Sequence, residues 1–314
     1  MKLLDTILGI YYGLPRFGIY GKIGKAIDRV MDIYMARPLL ETFVRPRLAQ
    51  QLESGEIGIN TETRETPYIV SLTSFPARVE EAWVSIECLL SQTVKPDKII
   101  LWLAEEQFPG RKIPETLQMQ QKRGLTIEFC DDIKSHKKYY YTMLRHPNAC
   151  VIAVDDDLYY NSTTMENVIG LHKKHPECIA ANRAHEVLFD ADGTMRPYTK
   201  WKHNSVAKDP SFLLFHTSGH GTLFPPGALI DVAFDKELIK SLSFRSDDVW
   251  LKAMTVLSGR KIVTNGTYNK DYCTVGSTQK ESLVSSNTKK GAKDKILRKV
   301  FKHFDIDLYR YVKQ

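Results

Sequence analysis

Short apolar runs and helix-spaced apolar residues alternate along the middle of this chain. Tyr68-Ile69-Val70-Ser71-Leu72-Thr73 is a β-rich run closed by the turn-like Ser74-Phe75-Pro76. From Val79 to Gln92, Trp83, Ile86, Leu89 and Leu90 fall on one helical face. Lys98 to Leu103 reads as a second strand and Pro114 to Lys122 as a second helix; Leu125 to Phe129 and Lys137 to Leu144 repeat the pair, and Ala149 to Val154 is a fourth strand. Strands alternating with helices predict parallel β-α units in an open α/β sheet. Ligands of such sheets bind at the carboxyl ends of the strands, so the residues after each run are where chemistry is expected.

The flanks differ from this body, which begins near Thr66-Pro67 after the polar stretch from Glu53 to Glu65. The expected organisation is a basic and apolar helical N-terminal extension over 1–65, a main domain over 66–285 and a basic amphipathic C-terminal helix over 286–314. The first fifteen residues are apolar and aromatic, but Asp5, Gly13 and Pro15 interrupt them. The stretch is too short and broken to span a bilayer, and it lacks the layout of a signal peptide. Near the other end, Ile296, Leu297, Val300, Phe301 and Phe304 recur at helical spacing beside Lys295, Arg298, Lys299 and Lys302. Such a helix either lies on an anionic membrane or packs on its own domain with a solvated basic face.

With 314 residues and 43% hydrophobic content, the chain can bury one large core plus appendages. Its net charge of +7 sits at the ends: residues 1–50 carry eight Lys or Arg against four acids, and residues 289–314 nine against three. Subtracting those excesses of +4 and +6 leaves the middle at −3. A basic excess confined to the ends, with no helix-turn-helix, RNA-recognition signature or zinc finger, argues against nucleic acid. The five cysteines are dispersed and without metal-ligand spacing, which predicts reduced thiols in a cytoplasmic protein, with the basic ends against the inner face of the membrane.

Candidate chemistry concentrates after the fourth run, where Asp155-Asp156-Asp157 follow Val154. Like charges at the end of a buried strand cost stability unless a cation sits there. Strand alternation puts Asp155 and Asp157 on one side and Asp156 on the other. Two hard oxygen ligands suit Mg2+ or Mn2+ with positions left for diphosphate oxygens; an acidic turn is the other reading of the same triplet.

Three motifs in order, Ile69 to Arg78, Leu90 to Leu103 and Val154 to Asp157, resemble nucleotide-sugar glycosyltransferases of the GT-A type. The closest likeness is to bacterial, family-2-like enzymes of capsule and lipopolysaccharide biosynthesis, and it covers roughly residues 66–280. It implies a Rossmann-type mixed α/β sheet flanked by helices, a nucleotide-sugar donor such as a UDP-sugar, Mn2+ or Mg2+ on Asp155 and Asp157, and a glycan or lipid-linked glycan acceptor. A fourth motif, Ser246-Asp247-Asp248-Val249-Trp250, supports it. In inverting members the second acid of such a pair is the general base, which carries that role to Asp248 with Asp247 beside it; helix capping is the alternative. Thr73, Arg78, Asp132, Lys137, Lys138, Asp155 and Asp156 fall on the donor side. Gly219, His220 and Trp201 fall on the acceptor side, with Trp201 read either as a sugar-stacking ring or as a packing residue. A third metal ligand, usually a histidine, has only His303 to supply it.

Two other classes fit parts of the pattern. A nucleotidyl- or phosphotransferase would also use metal-bound aspartates, although Leu72-Thr73-Ser74-Phe75-Pro76 is no glycine-rich phosphate loop. A non-catalytic glycan-binding protein of the same fold would keep the residues and lack the reaction.

Overall fold

A computed structural model describes residues 2–13, 24, 27, 30–265, 272–276 and 291–312. The alternating pattern folds as β1 (Tyr68–Thr73), β2 (Lys98–Ala104), β3 (Leu125–Cys130) and β4 (Cys150–Val154). All four are parallel, in the order β3-β2-β1-β4. β4 is buried along its whole length, as expected for a strand covered on both faces.

Beyond β4 the chain adds β5 (Ile179–Ala181), β6 (Ala184–Glu186), β7 (Leu214–His216), β8 (His220–Phe224) and β9 (Ile262–Thr264). β8 runs antiparallel between β4 and β5, and β9 is parallel to β5, which completes a seven-stranded mixed sheet ordered β3-β2-β1-β4-β8-β5-β9. β6 and β7 form a separate antiparallel pair. The β4–β8 register slips between Ala153 and Val154, a bulge that bends the strand end just before the aspartates.

The helices are α1 (Lys2–Gly13), α2 (Arg45–Glu53), α3 (Ala82–Leu90), α4 (Glu115–Gln121), α5 (Lys137–Arg145), α6 (Thr164–Lys174), α7 (Asp247–Leu257) and α8 (Ala292–His303). They cover both faces of the sheet. Val70, Leu72, Leu101, Leu103, Ile152 and Val154 share one core with α3 and with Leu4, Leu8, Leu40, Val44 and Leu48 of the N-terminal helices. On the other face α5 lies across β1 and β2, where the Thr142 hydroxyl meets Ser71 Oγ at 2.7 Å and accepts from Trp102 Nε1 at 2.7 Å.

The apolar side of α8 points inward. Leu297, Val300 and Phe301 are buried in a second core with Val249, Trp250 and Met254 of α7, so of the two readings for this helix the packed one holds. Burying those side chains against α7 satisfies them without a bilayer. Among the described residues, no helix is long and apolar enough to cross a membrane.

Candidate active site

β4 ends at Val154, and Asp156 and Asp157 lie in a bend, so strand alternation does not extend through the triplet. Asp156 and Asp157 are grouped instead: Arg78 reaches Asp156 Oδ1 at 3.1 Å with one amino group and Asp157 Oδ2 at 3.0 Å with the other. Ser74 Oγ also donates to Asp156. Asp155 stands apart, with its side chain 42% exposed and Oδ1 at 2.7 Å from Lys138 Nζ. Alternation, which put Asp155 and Asp157 on one side and Asp156 on the other, is thus corrected as the reason for any grouping, because the chain turns before the pattern can act.

Charge in this corner is unbalanced. Burial, then the charges of Asp156 and Asp155, push the Asp157 carboxyl up to about 7 against the opposing pull of Arg78. Burial also raises Asp156, with Arg78 again opposing. Three carboxylates beside two cations are short of positive charge. The exposed Asp155, with Asp157 near enough to feel its charge, is the hard oxygen donor set that Mg2+ or Mn2+ would take, completed by water or phosphate. No cluster of three His, Cys, Asp or Glu ligands exists among the described residues, and His303 lies exposed in the last turn of α8.

Lys138 joins this corner to the second acidic motif. Its Nζ lies 2.7 Å from Asp155 Oδ1 and 3.0 Å from Asp247 Oδ2, with only 3% of the side chain exposed. Burial alone would lower the Lys138 pKa, but Asp155 and Asp247 reverse that and raise it. Burial likewise works to raise Asp247, and Lys138, His136 and hydrogen bonds from Ser218 and Ser135 outweigh it, holding that carboxyl well below its usual range. His136 fixes the start of α5 by hydrogen bonds to Tyr139 Oη (3.1 Å) and the Ser243 carbonyl (2.9 Å).

Neither residue at the start of α7 acts as a simple cap. Ser246 occupies the cap position with no side-chain capping bond, and the two aspartates turn into the site. Ser218 Oγ lies 2.7 Å from Asp247 Oδ2 and 2.9 Å from Asp248 Oδ1, and Ser218 N–H donates to the same Asp248 oxygen at 3.0 Å. Asp248 Oδ2 faces Lys293 Nζ of α8 at 3.4 Å.

The glycine-rich turn before β8 closes the site from below. A Cβ on Gly219 would stand 1.7 Å from Asp155 Oδ2, so only glycine lets that carboxylate lie where it does. The Gly219 carbonyl accepts from Asp155 N–H (3.2 Å) and from Tyr160 Oη (2.6 Å), whose oxygen in turn accepts from Asp155 N–H (2.8 Å). His220 is buried behind it: Arg183 Nη1 donates to its Nε2 at 2.8 Å, and its ring stacks on Tyr272 at 5.3 Å. Burial, then Arg183, keep this imidazole well below its ordinary pKa.

The other donor-side residues are committed to one another. Asp132 takes Lys137 Nζ at 2.7 Å and Gln107 Nε2 at 3.0 Å, and it also pairs with Lys134. Burial works to raise Asp132, but the hydrogen bonds from Lys134 and Lys137 dominate and bring it down to about 2. Thr73 Oγ1 donates to the Trp102 carbonyl at 2.8 Å. Trp201 is a packing residue: it is 4% exposed, its indole N–H donates to the Arg196 carbonyl at 2.7 Å, and it meets Phe215 and Tyr198 edge-on. The stacking role is therefore corrected, since a ring enclosed on its faces cannot receive a sugar.

Lys293, Ser218 and Tyr160 were given no role by the sequence. Ser218 lay inside the glycine-rich segment, whereas Lys293 was one of nine cations in a basic tail with nothing local to mark it. A recess between Phe189, Met195, Arg298 and Phe301 shares no residue with the carboxylate cluster.

No family model matches the chain, and no curated protein does. Solved structures similar to it include a mannosyltransferase from Pyrobaculum calidifontis in complex with GDP-Man and Mn2+, at 14% identity over 88% of this chain and 74% of that one, with a TM-score of 0.43. Another is a CMP:2-keto-3-deoxy-manno-octonic acid synthetase complexed with CTP, at 11% identity over 63% of this chain and 89% of that one, with a TM-score of 0.36. Likenesses this distant carry no weight for the chemistry, which rests on the geometry above.

Proposed function

We propose that the protein is a metal-dependent, inverting glycosyltransferase that moves a sugar from a nucleoside-diphosphate donor, a UDP-sugar foremost, to a hydroxyl of a glycan. One observation carries the reading: a single buried ammonium, Lys138, spans 2.7 Å to Asp155 and 3.0 Å to Asp247. Two acidic motifs about ninety residues apart are thereby brought to one ammonium beyond the carboxyl end of β4. Such a juxtaposition offers a cation-binding carboxylate on one side and a base on the other, as an in-line displacement requires.

Asp155 and Asp157 would hold Mn2+ or Mg2+, which when bound supplies charge neutralisation for a departing diphosphate. Arg78 and Lys138 bring further positive charge to the donor side. Asp248, fixed through one oxygen by Ser218, leaves Oδ2 to take the proton of an acceptor hydroxyl. Asp247 sits behind it and keeps Lys138 in place.

On the same reading the acceptor is a lipid-linked glycan at an anionic membrane of a bacterial cell that builds capsule or lipopolysaccharide. Supporting this, Tyr34, Met35, Leu39 and Phe43 are exposed on an N-terminal helical segment whose opposite residues, Ala36, Leu40 and Val44, are buried. Cosedimentation with phosphatidylserine vesicles that survives Phe43→Ser unchanged would remove that part.

The donor reading is tested by incubating the protein with a panel of nucleotide sugars, Mn2+ and candidate acceptors. Release of nucleoside diphosphate from one donor is expected, and Asp155→Ala should abolish it. Pyrophosphate release from a nucleoside triphosphate and a free sugar acid would instead make the protein a nucleotidyltransferase.

A further inference from the structure

The C-terminal helix ends its inward packing with a side chain in the site. Lys293, in the first turn of α8, is 84% buried along its side chain and points its ammonium at Asp248 Oδ2, 3.4 Å away. Two rings hold it there: Nζ lies 4.4 Å from the centroid of Tyr198 and 5.3 Å from that of Phe215. Its neighbour Asp294 anchors the same turn, with Oδ1 accepting from Tyr198 N–H at 2.7 Å. The start of α8 is thus tied to the 198–200 turn on one side and to the acidic end of α7 on the other.

This arrangement divides the Asp248 carboxylate. Oδ1 accepts from Ser218 N–H at 3.0 Å and lies 2.9 Å from the Ser218 hydroxyl, whose single proton it shares with Asp247 Oδ2 at 2.7 Å. Among the described residues Oδ2 has the longer contact to Lys293, and a carboxylate oxygen so held keeps lone pairs for another donor while the ammonium fixes its direction. A cation confined by aromatic faces cannot swing to solvent as a surface lysine would.

We propose that Lys293 is a positioning residue for the proposed reaction: with Tyr198 and Phe215 it aims Asp248 Oδ2 at the acceptor hydroxyl, so that α8 forms part of the acceptor site. The proposal rests on the glycosyltransferase reading, and its test is arranged to fail separately from it. Lys293→Met should lower kcat by roughly tenfold or more, the order of loss a misplaced catalytic group produces. KM for the donor should not change, because Lys293 touches Asp248 and not the Arg78, Asp156 and Asp157 cluster assigned to the donor. Lys293→Arg, which restores a cation over the rings, should recover most of the rate. In an Asp248→Asn background the Met substitution should cost less than about twofold of the residual turnover, since two groups acting as a unit are not additive.

Donor binding, read as the Mn2+-dependent rise in melting temperature with UDP or GDP, separates misfolding from misplacement and should be equal in all variants. If Lys293→Met does not fold, Lys293→Gln takes its place with the same expectation. Wild-type kcat in the Met or Gln variant, no recovery with Arg, or full additivity with Asp248→Asn overturns the role of Lys293. Full activity of Asp248→Asn by itself overturns the assignment of the base instead.

Discussion

Gly219→Ala separates the geometry of the site from the stability of the fold. The added methyl would stand 1.7 Å from Asp155 Oδ2 and 2.3 Å from its Cγ, whereas real Cβ contacts stay beyond 3.0 Å. Oδ2 must therefore withdraw by at least about 1.3 Å, which displaces the carboxylate whose Oδ1 pairs with Lys138 at 2.7 Å. Asp155 is 42% exposed and can move toward water, so the stability cost should fall at the low end of overpacking, about 1 kcal/mol. Melting by circular dichroism would then shift by only about 2–4 °C. Function should suffer far more, because a displacement of ~1 Å at a reacting centre costs on the order of a hundredfold in rate. The assay is nucleoside diphosphate release with Mn2+, run beside Gly170→Ala in α6, where nothing lies within 4 Å of the added methyl and the backbone is helical. Gly219→Ala turning over within threefold of the Gly170→Ala control would refute the placement of Asp155 in the reaction.

Removing Mn2+ and Mg2+ with chelator should abolish donor turnover, and Mn2+ should raise the melting temperature more at pH 8 than at pH 5, where protons compete for the carboxylates; equal shifts count against a carboxylate metal site. Trp201→Phe should lose about 1–2 kcal/mol, since the Arg196 carbonyl loses its donor, yet leave KM for the acceptor unchanged; a raised acceptor KM would return the indole to the sugar site. Lys252 is wholly buried in α7, donating to the Leu214 carbonyl at 2.8 Å, and burial lowers its pKa to about 7 from 10.5. A lysine whose folded pKa lies below its unfolded one contributes most above pH 10.5 and loses that contribution as pH falls toward 7. Lys252→Met should therefore gain on wild type by a few kcal/mol between pH 9.5 and pH 7 in denaturant melts, and a gap independent of pH would contradict the buried charge.

The order of elements was written in the chain. Runs such as Tyr68–Thr73 and Cys150–Val154 are short, apolar and followed by helix-spaced residues, and local periodicity acts within a few residues, so β1 to β4 and α3 to α5 form where it put them. The same local reading singled out Asp155 and Lys138, whereas the roles expected of Asp247 and Asp248 came from the resemblance and not from local pattern. Partnership was decided by the tertiary fold. Alternation could not tell that the strand ends at Val154, so it paired Asp155 with Asp157 where Arg78 pairs Asp157 with Asp156. Trp201 and the apolar stripe of α8 each left a ligand and a core open in sequence, and only the neighbours brought by packing, Phe215 for one and Trp250 for the other, fixed the answer. Lys293 is the extreme case: it is an ordinary cation in a basic tail until some 45 residues of intervening chain bring it to Asp248, a contact that no local pattern encodes because contact energy depends on distance in space and not along the sequence.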